Sequence, residues 1–175
     1  MTHLSKGYVQ VYTGDGKGKT TAAFGLALRA VGAGLKVFIA QFVKNMVYSE
    51  IKAIERLGNA VMLKQYGQGD FLYREPDERD RRSARDGLAE VTEVMLGGRF
   101  DVIILDEINI ATYFHLLSVD DVLALLKAKP DQVELVLTGR EADTRIMEAA
   151  DLVTEMKEIK HYYQKGVQAR IGIER

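Results

Sequence analysis

The chain has no cysteine and no tryptophan, only two prolines and three histidines, and no long apolar run in its 175 residues. Without cysteine there is no disulfide, no thiolate metal site and no cysteine nucleophile. The histidines, His3, His115 and His161, show no metal-ligand spacing. With 24 basic and 25 acidic residues the net charge is -1, so there is no excess of one sign to mark a general nucleic-acid binder. No stretch is apolar over the length a membrane span needs, and "MTHLSKGYVQ" at the start lacks a hydrophobic signal region. The expectation is a cytoplasmic protein without membrane or nucleic-acid partners. Residues 1–175 are expected to form one domain, long enough to bury a core without covalent staples.

What is present is alternation. Short β-rich apolar runs are expected as strands at Tyr8–Tyr12, Lys36–Phe42, Ala60–Tyr66, Asp101–Asp106, Val133–Thr138 and Leu152–Ile159. Between them, helices are expected at Thr20–Ala33, Ser49–Leu57, Pro76–Leu96, Val119–Lys127 and Asp143–Ala150. In the long helix Ala84, Leu88, Val91 and Met95 recur at helical spacing, and Gly97-Gly98 stops it. Strands alternating with helices predict an α/β fold: a mostly parallel sheet with helices on both faces. Ligands of such sheets bind beyond the carboxyl ends of the strands. Four places qualify: the loop after Tyr12, the segment after Phe42, Asp106-Glu107, and "TGR" at Thr138–Arg140.

The first place reads "VYTGDGKGKTTAAFG", a phosphate-binding loop one residue short. The usual spacing G-x-x-x-x-G-K-[ST] puts a glycine at position 13, but Thr13 stands there and the glycine is Gly14. Gly14, Gly16 and Gly18 permit backbone turns that aim successive N–H groups inward as an anion nest. Lys19 adds a mobile charge and Thr20 a metal-ligand hydroxyl, at the positive end of a helix. "VIILDE" supplies the complement, because Mg²⁺ on a triphosphate needs hard oxygen ligands and Asp106 and Glu107 end a buried strand. Arg140 stands where it can reach the nucleotide or a second substrate, and Arg29 by spacing alone reads as a surface arginine.

These residues resemble the P-loop type of corrinoid adenosyltransferase. The resemblance runs through "YTGDGKGKTTAAFGLALRAVGAGLKVFIAQFVK", "VIILDEINIA", "LTGREA" and "EMKEIKHYYQKGVQARIGIE", nearly the whole chain. It implies a P-loop NTPase, RecA-like architecture and transfer of the 5′-deoxyadenosyl group of ATP to the reduced cobalt of a corrinoid, with release of triphosphate. The short loop is itself a trait of that family. It implies that Gly14, Asp15, Gly16, Lys17, Gly18, Lys19, Thr20 and Thr21 bind triphosphate, with Arg29 and Arg140 assisting. Thr20, Asp106 and Glu107 would hold Mg²⁺, with Glu107 the stronger candidate. Lys19 is the expected catalytic charge, and Phe71 and Tyr73 in "GQGDFLYREP" would face the corrinoid. Family members often carry Phe-x-Trp in that loop, where this chain has Phe71-Leu72-Tyr73. They also carry an N-terminal helix over the site. Here the first strand starts near Tyr8, so that lid is expected to be absent or replaced. A homodimer and a cobalt-reducing electron donor are implied as well. The competing expectations are a RecA-like ATPase or kinase releasing ADP, and a regulator that binds ATP without turnover.

Overall fold

The computed structural model describes residues 4–44, 46, 48–67 and 74–174. Six strands form one sheet: β1 (Val9–Thr13), β2 (Val37–Phe42), β3 (Val61–Tyr66), β4 (Val102–Asp106), β5 (Glu134–Thr138) and β6 (Leu152–Glu155). Their order is β3-β2-β4-β5-β1-β6, and each of the five pairings is parallel. The helices are α1 (Lys19–Gly32), α2 (Ser49–Glu55), α3 (Glu78–Leu96), α4 (Ile108–Tyr113), α5 (Val119–Ala128) and α6 (Thr144–Ala149).

Strand alternation divides the core. Val37 and Ile39 of β2 pack on the α1 side with Ala23, Ala27 and Ala30, small residues that let α1 lie close to the sheet. Phe38, Ala40 and Phe42 point to the other face, against Ala84, Leu88, Val91 and Met95 of α3 and Val122 and Leu125 of α5. Every residue of β2 and β4 is buried, as expected for central strands covered on both sides. Each large apolar side chain so buried contributes about 1.5–3 kcal/mol relative to exposure.

Three sequence expectations are revised. Helix α3 starts at Glu78, not Pro76, because Asp77 caps it: the Asp77 side chain accepts from Arg79 N and Asp80 N, and Asp80 Oδ2 accepts from Asp77 N at 2.8 Å. Strand β6 ends at Glu155, not Ile159. Beyond it the chain follows the glycine loop, with Met156 N donating to Thr13 O at 2.8 Å and Gly16 N donating to Met156 O at 2.6 Å. Helix α4 was not expected, since its start has no Ser, Thr, Asp or Asn cap; Glu107 enters it in the left-handed conformation, φ 63°.

Register brings the ligand-binding ends together. Tyr12 pairs with Thr138, Leu105 with Leu137, and Gln41 with Asp106. The carboxyl ends of β1, β5, β4 and β2 therefore form one row.

Candidate nucleotide site

The glycine loop joins β1 to α1. Gly14 and Gly18 have φ of 92° and 122°, which side chains rarely adopt. Gly16 is needed for space instead: a Cβ there would lie 2.6 Å from Met156 O. Lys19 arches back over the loop, its Nζ donating to Gly14 O at 2.6 Å and Gly16 O at 2.7 Å. Burial lowers the pKa of this ammonium, and Arg140 lowers it further, while Glu107 and Asp15 oppose the shift. Arg140 is exposed and follows Gly139 at the end of β5. A cavity of about 440 Å³ opens beside the loop, lined by Thr13, Gly14, Asp15, Glu141, Met147 and Val153 among others.

Asp106 is the centre of the polar network. It is fully buried and accepts four hydrogen bonds. Oδ1 accepts from Thr20 Oγ1 at 2.8 Å and Thr138 Oγ1 at 2.7 Å. Oδ2 accepts from Lys44 Nζ at 2.7 Å and Gln41 Nε2 at 3.0 Å, and Gln41 Oε1 is itself held by Gln65 Nε2 at 3.0 Å. Burial alone would raise the Asp106 pKa; the Lys44 charge and the bonds from Lys44, Thr138 and Thr20 outweigh it and hold the carboxyl below its ordinary value. Glu107 differs. Burial raises its pKa, Asp106 adds to the rise, and Lys44 and Lys19 oppose it. Its backbone N–H donates to Thr138 Oγ1 at 3.1 Å, while its carboxylate lies 3.6 Å from Lys44 Nζ.

The oxygens gathered here suit a hard divalent cation. Thr20 Oγ1, Asp106 Oδ2 and Glu107 Oε1 lie 3.4, 2.7 and 3.6 Å from one ammonium nitrogen, so a positive charge already fits among them. Among the described residues no group of three His, Cys, Asp or Glu forms a cage. A metal would take its other ligands from phosphates and water, the usual situation for Mg²⁺.

Not every expected residue converges. Lys17 reaches away from the loop, donating to Ile173 O at 3.0 Å. Arg29 is exposed in the last turn of α1, ten residues beyond Lys19. At 1.5 Å per residue that is roughly 15 Å along the helix, while the Arg29 charge still acts on Tyr12, two residues before Gly14. Thr21 is exposed on α1, and Asp15 is exposed at the loop. Phe71 and Tyr73 lie outside the described residues. Conversely, Lys44, Gln41 and Thr138 belong to the network without having been singled out. The rule of strand carboxyl ends pointed to all three segments, but residue type alone does not show which side chains turn inward.

The chain matches the family model described as ATP:corrinoid adenosyltransferase BtuR/CobO/CobP over residues 5–175. It is 37% identical over 172 residues to a corrinoid adenosyltransferase of Sinorhizobium sp, covering 97% of this chain and 80% of that one. The corrinoid adenosyltransferase of Escherichia coli (strain K12) is 35% identical over 170 residues, 97% of this chain and 86% of that one. In three dimensions the chain resembles the flagellar accessory protein FlaH from Methanocaldococcus jannaschii, with a TM-score of 0.59 at 16% identity, over 87% of this chain and 72% of that one. That likeness concerns the fold alone, and it agrees with a P-loop, RecA-like architecture.

Proposed function

The chain belongs to the ATP:corrinoid adenosyltransferase family, and from that premise we propose how its residues divide the work of moving the 5′-deoxyadenosyl group from ATP to a corrinoid. The electron pair of reduced cobalt forms the bond to C5′, the C5′–O5′ bond breaks, and triphosphate leaves with the bonding pair. No proton has to be removed from the nucleophile, which accords with a site built from a glycine loop, lysine and carboxylates. The observation that carries the assignment is the link between loop and strand: Thr20, next to Lys19, is bonded to Asp106 at the end of β4.

The loop from Gly14 to Thr21 holds the triphosphate, with backbone N–H groups and the start of α1 facing its charge. Lys19 leaves its two loop carbonyls and turns to phosphate oxygen, where its charge stabilises the leaving group more as negative charge grows. Arg140 joins it at the rim. Mg²⁺, held by Thr20 and Glu107 with Asp106 orienting Thr20, would neutralise part of the triphosphate charge. With no metal bound Asp106 accepts from four donors, so its first part is to fix Thr20 and the end of β2. Phe71 and Tyr73 belong to the corrinoid side by resemblance, Phe71 as an aromatic surface without a cobalt ligand.

A second copy of the chain is the favoured partner. Edge strand β6 exposes Leu152 and Val153, and the segment after it exposes Ile159, Tyr163 and Ile171, apolar surface that a homodimer would cover. Among the described residues no helix is long and apolar enough to cross a membrane. The cytoplasm, where ATP and a cobalt-reducing electron donor are at hand, is the proposed location.

The test is an anaerobic incubation with ATP, Mg²⁺ and chemically reduced cobalamin. Triphosphate and the spectrum of an adenosylated corrinoid are expected. ADP would favour an ordinary ATPase or kinase, and unchanged ATP a binding-only regulator.

A further inference from the structure

Lys44 stands two residues beyond β2, in a segment whose backbone is held in an uncommon shape. Val43 has φ 65°, a position that β-branched residues rarely occupy. The turn is fastened from β3: Val43 N donates to Tyr66 O at 3.1 Å, and Gln65 Nε2 donates to Met46 O at 3.0 Å. Gly67 permits this approach, since a Cβ there would lie 2.7 Å from Val43 C and 2.8 Å from Lys44 N. Just beyond the facing strand β4, Glu107 is also left-handed. Two strained residues therefore flank one ion pair. Strain of this kind persists where the surroundings over-determine it, commonly at a functional site.

The result is an ammonium placed among the three oxygens suited to a divalent cation. Lys44 Nζ is 2.7 Å from Asp106 Oδ2, 3.4 Å from Thr20 Oγ1 and 3.6 Å from Glu107 Oε1. Its side chain is 18% exposed, so it is reachable from outside, and the Tyr48 ring centroid lies 5.8 Å from Nζ. A metal at these oxygens and an ammonium at the same place would repel each other strongly in a shielded site.

We propose that Lys44 is a tethered counter-ion that occupies the metal position of the empty enzyme and is exchanged for the divalent cation when that cation arrives with ATP. Without nucleotide the free ion competes with an ammonium already bound to the site. With ATP, phosphate oxygens add ligands to the metal and give the displaced ammonium an anion to face. The Tyr48 ring, already 5.8 Å from Nζ, stays beside that ammonium. Metal and triphosphate thus enter together, and neither the buried Asp106 nor the half-buried Glu107 is left uncompensated. This inference rests on the metal role proposed for Thr20 and Glu107.

The experiment compares wild type, Lys44→Met and Lys44→Arg, with Mn²⁺ as the probe. Binding of free Mn²⁺ without nucleotide is read by electron paramagnetic resonance, and melting temperature is read in chelator and in Mn²⁺. Lys44→Met should bind free Mn²⁺ at least tenfold more tightly than wild type. It should melt lower in chelator and recover when Mn²⁺ is added. Lys44→Arg, which keeps the charge, should stay near wild type in both. In wild type, the rate at which acetic anhydride labels Lys44 should differ at least twofold between ATP with Mg²⁺ and ATP in chelator, read by peptide mass spectrometry; this arm needs no variant to fold. If Mn²⁺ tightens ATP binding to wild type but Lys44→Met gains no affinity for the free ion, or if labelling in ATP is the same with Mg²⁺ and with chelator, the exchange is overturned and the metal role stands. If Mn²⁺ affects neither ATP binding to wild type nor the melting of Lys44→Met, the metal role falls and the exchange falls with it.

Discussion

Thr20 donates its hydroxyl hydrogen to Asp106 Oδ1 at 2.8 Å, joining the first turn of α1 to the end of β4 across 86 residues of sequence. The bond fixes the helix start against the sheet before any nucleotide is present. Thr20→Val keeps the shape and deletes the donor. A hydrogen bond to a charged acceptor contributes about 1.5–3 kcal/mol. For a chain of this length that corresponds to a fall of roughly 3–12 °C in melting temperature. We predict such a fall, together with weaker ATP binding in Mg²⁺. Calorimetric unfolding checks the first; unchanged melting would mean that the bond does not hold the loop.

The lysine of the loop gives a kinetic expectation. Lys19→Ala should lower the rate of adenosyl transfer about a hundredfold, the usual consequence of losing one charged group from a developing anion. The fold should persist, because Lys19 touches loop carbonyls and not the apolar core. Single-turnover rates with circular dichroism as a control decide the matter. A folded Lys19→Ala enzyme at wild-type speed would remove Lys19 from the reaction.

Two glycines should respond with opposite sign. In Gly16→Ala the new methyl would meet Met156 O at 2.6 Å and Lys157 C at 2.9 Å, backbone atoms that cannot step aside alone. Overpacking of this kind costs about 1–3 kcal/mol. Gly25, within α1, has nothing within 4 Å of an added Cβ, and its φ is not positive. Gly25→Ala should therefore stabilise by about 0.4–1 kcal/mol. Urea unfolding of both variants measures the two changes. Destabilisation by Gly25→Ala, or neutrality of Gly16→Ala, would contradict the packing described.

Much of this was legible in the sequence. The 3.6-residue spacing in α3 and the buried run "VIILD" each follow one strong signal, and both elements lie within two residues of expectation. Helix α4 gave no comparable signal: it is six residues long, lacks a capping side chain, and is entered through a left-handed Glu107. Lys44 was invisible for another reason. Its direction depends on the left-handed Val43 and the close approach of Gly67, contacts between two strands that no local pattern encodes. Arg29 rests on resemblance, since its spacing alone reads as a surface arginine and it is exposed in the last turn of α1.

Acid should reveal the cap of α3. Hydrogen bonding by Arg79, then by the backbone N–H groups of Asp80 and Arg79, lowers Asp77 from 3.8 to about 2. A depressed carboxyl stabilises the folded state above its unfolded pKa, and that contribution is lost as pH falls through the folded value. The window therefore runs from about pH 4 down to about pH 2. Asp77→Asn still caps but does not titrate. Wild type should be the more stable of the two at pH 5, and the difference should shrink as pH falls towards 2. Denaturant midpoints at several pH values test this, and a constant difference would show that Asp77 does not titrate with the fold.

The two carboxylates at the end of β4 should fail differently. Asp106 accepts four hydrogen bonds, and removing its charge leaves Lys44 without its closest partner in a buried network. Breaking a buried pair in that way costs about 3–5 kcal/mol, so Asp106→Asn should mainly lose stability. Glu107 has the freer carboxylate, with Lys44 Nζ at 3.6 Å. Glu107→Gln removes a hard anionic oxygen while keeping size. Its fold should survive, while the Mg²⁺ needed for half-maximal activity should rise at least tenfold. Asp120→Asn is the control: Asp120 is exposed at the start of α5 and pairs with Arg145 at 2.5 Å, a surface contact worth about 0–1 kcal/mol. It should leave the Mg²⁺ curve in place. Rates across a Mg²⁺ titration, with melting curves on the same proteins, separate the cases. Equal Mg²⁺ curves for Glu107→Gln and Asp120→Asn would take Glu107 out of the metal site.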